Sequence, residues 1–200
     1  MTTAFRTGDR ITFRTLELED LPFLQALVNR EDLHPFIGVY WPLNGVAERE
    51  WLEGLYKDRE KFAFAIVLKE GNRLLGSCEL RLGPAAHRTA VLGIGIAEAE
   101  FRGKGYGTEA LRLLLEYGFG TLNLNRIELK VFANNPRGIR CYEKCGFRRE
   151  GVLRDSRWWN GRWWDTFEYG ILAREWQSAS APQGRSDGGK NPPSPRNAAK

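Results

Sequence analysis

Apolar and polar positions alternate over residues 10–16, the two-residue period of a half-buried strand. The period lengthens over 19–29, which predicts a helix, with Pro22 acceptable in its first turn. A loop over 41–44 leads into a second helix over 46–58, with Val46, Trp51, Leu52 and Leu55 as its apolar positions. Two strands follow, 61–68 and 73–82, joined by Glu70, Gly71 and Asn72, a composition suited to a hairpin turn. Residues 90–97 are largely apolar, as expected of a central strand. Over 105–119, Leu111, Leu114, Leu115 and Phe119 recur at the spacing of one helix face. A strand over 127–132, a helix over 135–144 and a second hairpin complete the pattern. That hairpin turns at Asn160 and Gly161, a pair that favours a type I′ turn and sets Trp158 opposite Trp163.

This order of elements predicts a mixed α/β (α+β) fold with a mostly antiparallel sheet. The 90–97 and 127–132 strands are joined through a helix, so they are expected to lie parallel.

Length and composition narrow the class. Two hundred residues, 42% apolar and 28% charged, suit one domain with one core. The organisation read from them is a domain over 1–176 followed by a basic, Pro/Gly/Ser-rich tail over 177–200 that is expected to be disordered. No stretch approaches the roughly 20 apolar residues of a membrane helix, and no signal-peptide core is evident, so a cytoplasmic protein is expected. Net charge is +5, but 178–200 holds four basic residues and one acid, a net of +3, which leaves +2 for the body. That is little for a nucleic-acid face, and no nucleic-acid partner is expected. Cys78, Cys141 and Cys145 read as reduced, partly buried thiols; with only His34 and His87 and no C-x2-C pair, no metal site is expected.

The chemistry concentrates at 101–108, where Phe101, Arg102, Gly103, Lys104, Gly105, Tyr106, Gly107 and Thr108 run directly into the long helix. Glycines at alternate positions before a helix start leave backbone N–H groups open to an anion, and Arg102 and Lys104 add charge there. The spacing is not that of a dinucleotide loop, which needs G-x-G-x-x-G, nor of a Walker A loop. A flexible turn with no ligand is the plain alternative.

The run Arg102-x-x-Gly105-x-Gly107 resembles the R/Q-x-x-G-x-G/A signature of the GNAT superfamily of N-acetyltransferases. Asn135, Tyr142, Gly146 and Phe147 resemble its downstream N-x6-Y-x3-G-F run. The likeness extends from about residue 10 to about 176, nearest to the branch of spermidine and ribosomal-protein N-terminal acetyltransferases. It implies transfer of an acetyl group from acetyl-CoA to a primary amine on a small molecule or peptide, by direct attack in a ternary complex. It also implies a sheet whose two parallel strands splay apart, and a homodimer. Residues 102–108 and Asn135 would hold the cofactor, and Ile94, Gly95 and Ile96 would offer backbone groups to its pantetheine arm and thioester.

Tyr142 is the candidate general acid: a phenol of pKa about 10 is protonated at neutral pH and can donate to a leaving thiolate. A helix tyrosine packed near the core is its bland counterpart, as a helix cap is for Asn135. Glu79 is the candidate catalytic carboxylate, acting as a base through water or binding an ammonium group; an exposed strand carboxylate is an equal reading. His87 reads as a turn residue. Residues 36–44, with Phe36, Tyr40 and Trp41, hold no acid, which counts against a polycationic acceptor. The tryptophans around Asn160 read first as core, with an acceptor entrance or subunit interface as the alternatives. Two other functions stay open: a non-catalytic acyl-CoA sensor, and an enzyme using another donor such as succinyl-CoA.

Overall fold

The computed structural model describes residues 3–180. Eight strands form one sheet in the order β1-β2-β3-β4-β5-β6-β8-β7. They are β1 (Arg6–Thr7), β2 (Ile11–Arg14), β3 (Lys61–Leu68), β4 (Arg73–Leu82), β5 (Thr89–Ile96), β6 (Arg126–Phe132), β7 (Arg148–Trp159) and β8 (Arg162–Leu172). The helices are α1 (Leu21–Val28), α2 (Gly45–Lys57), α3 (Tyr106–Glu116), α4 (Pro136–Lys144) and α5 (Ala173–Ser180). Every strand pair is antiparallel except β5 with β6.

β3 shows why the sheet is covered on both sides. Phe64 and Ile66 belong to the larger core beneath α3 and α4, while Ala65 and Val67 join Leu16, Leu24 and Leu52 beneath α1 and α2. A strand buried on both faces reads as a continuous apolar run, as this one does. In α3 the stripe holds: Leu111, Leu114 and Leu115 are fully buried, each contributing about 1.5–3 kcal/mol. The helix ends earlier than its apolar pattern, passing at Tyr117–Thr121 into one π-helical turn. There a Cβ on Gly118 would lie 2.6 Å from Ile127 Cδ1, so glycine lets the chain press on the sheet.

The parallel pair positions the site. β5 and β6 pair only at Thr89–Arg126, Ala90–Ile127 and Val91–Glu128. Beyond that point β5 stays paired to β4 through Ile96, and β6 to β8 through Phe132, so the two strands part. A register shift between Ile66 and Val67 leaves Leu75 as a bulge in β4, which bends that strand. β5 follows closely because position 76 is glycine: a Cβ there would lie 1.9 Å from the Gly95 carbonyl oxygen.

Several expectations change. β1 and α5 carried no periodic signal. α5 continues through Ser180, so the boundary set at 176 falls inside a helix; residues 181–200 of the expected tail lie outside the described residues. α1 is shorter than 19–29, its first residues forming a 3-10 turn at Leu18–Asp20. Asn160 (φ 48°) and Gly161 (φ 77°) make the expected turn with Trp158 opposite Trp163, ring centroids 5.2 Å apart. Core packing does not hold for that pair, whose members are 52% and 56% exposed. No described helix is long and apolar enough to cross a membrane.

Candidate active site

Where β5 and β6 part, a cleft of about 410 Å³ opens. Its walls come from Ile94, Gly95 and Ile96 of β5, Lys130 and Val131 of β6, the α3 entry, one side of α4, and Leu33, Phe36 and Ile37 between α1 and α2. The slot therefore runs through the sheet, from the α3/α4 side to the α1/α2 side.

At the α3 end the glycines shape the turn. Gly103 (φ 75°) and Gly105 (φ 89°) are left-handed, and both line the cleft with Gly107 and Thr108. The first intrahelical bond runs from Glu109 N to the Gly105 carbonyl, 3.0 Å, which leaves the preceding N–H groups without helical partners. The turn is braced from the first strands. Glu109 accepts from the Arg10 and Ile11 backbone N–H groups (2.7 and 3.2 Å) and from Arg10 Nε (3.0 Å). Arg10 also donates to the Lys104 carbonyl, 3.0 Å. Gly105→Ala should cost about 1–2 kcal/mol through the left-handed backbone alone, and the new Cβ would meet Arg10 Nη2 at 3.1 Å. We expect a lower melting temperature and, for the acetyl-CoA that the family resemblance implies, at least tenfold weaker binding by calorimetry. Wild-type values for both would show that the turn's conformation is irrelevant.

The two charges expected at this turn are placed differently. The Arg102 guanidinium donates to the Ile96 carbonyl (3.1 Å), the Ala97 carbonyl and Asp32 (2.7 Å). Arg102 lines the cleft, but its charge is committed to the end of β5 and the α1–α2 segment. Arg30 and Arg102 together hold the Asp32 carboxyl down at about 2. Lys104 and Tyr106 are outside the lining; Tyr106 packs between Phe101 and Arg10.

Along β5, the Gly83 N–H bonds to the Thr89 carbonyl and the Ala97 N–H to the Leu75 carbonyl, both 2.8 Å. Odd residues thus direct their peptide groups to β4, and alternation turns those of Ile94 and Ile96 toward the cleft. Gly95 is regularly paired with Ser77 and has open space where a side chain would be. It is not itself the bulge that a strand glycine suggests; the close approach falls on Gly76.

α4 supplies the opposite wall. Asn135 caps it, accepting from the Gly138 N–H at 2.9 Å, and also lines the cleft. Arg137, Arg140 and Lys144 recur at helical spacing on the cleft side. Sequence reasoning missed that stripe, although its i, i+3, i+7 spacing is the signal that could have found it. Tyr142 lines the cleft while 9% exposed, its ring edge-on to Phe147 at 6.1 Å. Burial, then the neighbouring Cys141, pushes its phenol up, so the hydroxyl keeps its proton.

Glu79 is not brought to the cleft. It lies on β4 beside Gly93, its carboxylate 3.0 Å from Lys61 Nζ and 3.9 Å from Arg81. Its ion pairs give it the strand-surface role that sequence had weighed equally with catalysis. Five cations line the cleft (Arg102, Lys130, Arg137, Arg140, Lys144) and no carboxylate does. Among the described residues, no group of three or more His, Cys, Asp or Glu is placed to hold a metal ion.

Sequence reasoning missed Arg157. Only 1% exposed, its guanidinium donates to the carbonyls of His34 (2.7 Å) and Ile37 (3.2 Å) and to Tyr40 Oη (3.3 Å). It lies 3.8 Å from the centre of the Phe132 ring. It fastens the α1–α2 segment to the β6–β7 region. Nothing local in the sequence marks it, since both partner segments are distant along the chain.

Residues 10–148 match the family model described as "Acetyltransferase (GNAT) domain". The chain is 33% identical over 177 residues to spermidine N(1)-acetyltransferase of Vibrio cholerae serotype O1, covering 86% of this chain and 99% of that one. It is 30% identical over 177 residues to YdaF of Bacillus subtilis, whose name places it provisionally among ribosomal N-acetyltransferases, with 86% and 96% covered. The crystal structure of spermidine N-acetyltransferase from Vibrio cholerae in complex with CoA and spermine shares its fold at a TM-score of 0.78. That pair is 30% identical, with 84% of this chain and 98% of that one covered.

Proposed function

The chain belongs to the acetyltransferase (GNAT) family, and from that premise we propose that it moves the acetyl group of acetyl-CoA onto a primary amine that enters the cleft from the α1–α2 side. The observation that carries this reading is the cleft itself. Free helix-start N–H groups and α4 cations line it together with β5 residues whose N–H groups turn from β4 toward the cleft, and a protonated phenol.

The residues present fit acetyl-CoA. Gly103, Gly105, Gly107 and Thr108 bring backbone N–H groups to the pyrophosphate without an intervening side chain, and Arg137, Arg140 and Lys144 balance its charge. Acetyl-CoA supplies an activated carbonyl with a thiolate leaving group. An N–H of Ile94 or Ile96 stabilises the negative charge that develops on the carbonyl oxygen, and Tyr142 protonates the departing sulfur. No residue among the cleft lining acts as base toward the amine in this reading; the proton leaves to water.

The acceptor is a primary amine with an apolar or planar portion, or a peptide N-terminus. Leu33, Phe36 and Ile37 bound its entrance, and with five cations and no carboxylate in the lining a polycationic chain would be desolvated without compensation. The reading includes a homodimer, carried over from the family likeness; pairing would cover the half-exposed Trp158 and Trp163.

The test is release of free CoA thiol from acetyl-CoA with a panel of amines: spermidine, peptides starting with Ala or Ser, an aminoglycoside, and small aromatic amines. Turnover should be highest with the aromatic amines or the peptides. A preference for spermidine would overturn the acceptor reading, and acetyl-CoA binding without turnover on any amine would favour a sensor.

A further inference from the structure

Cys141 of α4 and Cys145, the residue that ends it, both converge on Thr108 in the first turn of α3. The Thr108 hydroxyl lies 3.5 Å from Cys141 Sγ, and Cys145 Sγ lies 3.8 Å from the Thr108 carbonyl oxygen. The mechanism uses neither thiol. Their environments differ: Cys141 is partly exposed and lines the cleft, whereas Cys145 is 5% exposed and does not. Cys141 Sγ stands 3.8 Å from where a Cβ of Gly107 would be, so it flanks the glycine turn at the phosphate end of the cleft.

We propose that Cys141 is a modification site for small anionic disulfides, and that the mixed disulfide formed there closes the phosphate end of the cleft to acetyl-CoA. Three features of the geometry converge on this. The sulfur, carried by α4, stands beside the first turn of α3, where the partial positive charge favours a thiolate. The Thr108 hydroxyl, 3.5 Å away, can donate to it. Arg137, Arg140 and Lys144 surround it and draw an anionic partner. The Cys141 thiol is pushed down, first by the neighbouring Cys145, then by Thr108 and the charges of Lys144 and Arg112, against the opposing effect of burial. Cys145 is pushed up in response and stays protonated. Cys78, fully buried and also pushed up, serves as an internal control.

The step is thiol–disulfide exchange. The Cys141 thiolate attacks one sulfur of the disulfide, and the disulfide's own S–S bond breaks. A new S–S bond joins Cys141 to that half, and the other half departs as a thiolate that takes a proton from solvent. The blocking effect rests on the reading of this cleft as the coenzyme A site; the reactivity of the thiol does not.

The experiment treats the reduced full chain with oxidised glutathione at neutral pH and maps the product by peptide mass spectrometry. One glutathione per chain is expected, on Cys141, with Cys78 unmodified. Cystamine, a dicationic disulfide, should react at least tenfold more slowly. Saturating CoA should protect Cys141 by tenfold or more, and the modified protein should lose acetyl-CoA binding until a dithiol reducing agent restores it. In Cys141→Ser, acetyl-CoA binding should not respond to glutathione disulfide. Modification of Cys141 no faster than of Cys78, or equal rates with both disulfides, would overturn the proposal. Rapid labelling of Cys141 without protection by CoA would instead remove the assignment of the cleft, provided that CoA binding is measured in the same samples.

Discussion

Tyr142→Phe is expected to lower kcat about 100-fold while leaving the acetyl-CoA dissociation constant within about twofold, the low end of what a positioned general acid contributes. The substitution removes one hydroxyl and little else. The ring keeps its edge-on contact with Phe147, and the phenol is buried at the cleft wall rather than bonded into the sheet. Stability should therefore hardly move, and the loss should appear in the chemical step. Because burial keeps the phenol protonated beyond its ordinary range, no alkaline limb near pH 10 should arise from Tyr142 in the wild type. Stopped-flow or steady-state thiol release, with calorimetry for binding, separates the two quantities. An unchanged kcat would end the role assigned to Tyr142. In the same assay Glu79→Gln should change kcat by less than about threefold, since its carboxylate is paired with Lys61 outside the cleft; a loss on the scale of a general base would restore the catalytic role.

Arg157→Met should lower the melting temperature by about 5–10 °C and raise KM for the amine about tenfold, with acetyl-CoA affinity preserved. Two effects oppose each other at this residue. Taking a guanidinium out of water is costly, and burial pulls its pKa down, so an apolar replacement removes a penalty. Against this stand two charge-assisted bonds to the His34 and Ile37 carbonyls and the stacking on Phe132. Bonds of that kind contribute about 1.5–3 kcal/mol each, and methionine would leave both carbonyls without their donor. The bonds win, for a net loss of about 2–3 kcal/mol. The damage should be local, because the fastened segment carries Leu33, Phe36 and Ile37, whereas the phosphate end is built by α3 and α4. Thermal melts and amine-dependence curves on one preparation test both parts. Unchanged values in both would mean that the segment holds its place without Arg157.

Periodicity was enough to place most strands and helices, because one buried face writes its repeat into contiguous residues, as Leu111, Leu114 and Leu115 do in α3. β1 was too short to carry a repeat, and α5 begins directly at the end of β8 without a break in composition. At the site, the local features were legible: the left-handed glycines of the turn, the Asn135 cap, and the Asn160–Gly161 hairpin, each set by a few neighbouring residues. What the sequence alone determined is thus most of the order of elements, the glycine turn before α3 and the family. The tertiary structure decided which charges remain available to a ligand. Arg102 is turned onto Asp32 and the end of β5, Glu79 is paired with Lys61, and Arg157 reaches across more than a hundred residues to hold the α1–α2 segment. It also set Cys141 beside the start of α3, which no local pattern indicates. A side chain's free charge or reactive proton depends on partners that folding brings from distant segments, and no window along the chain contains them.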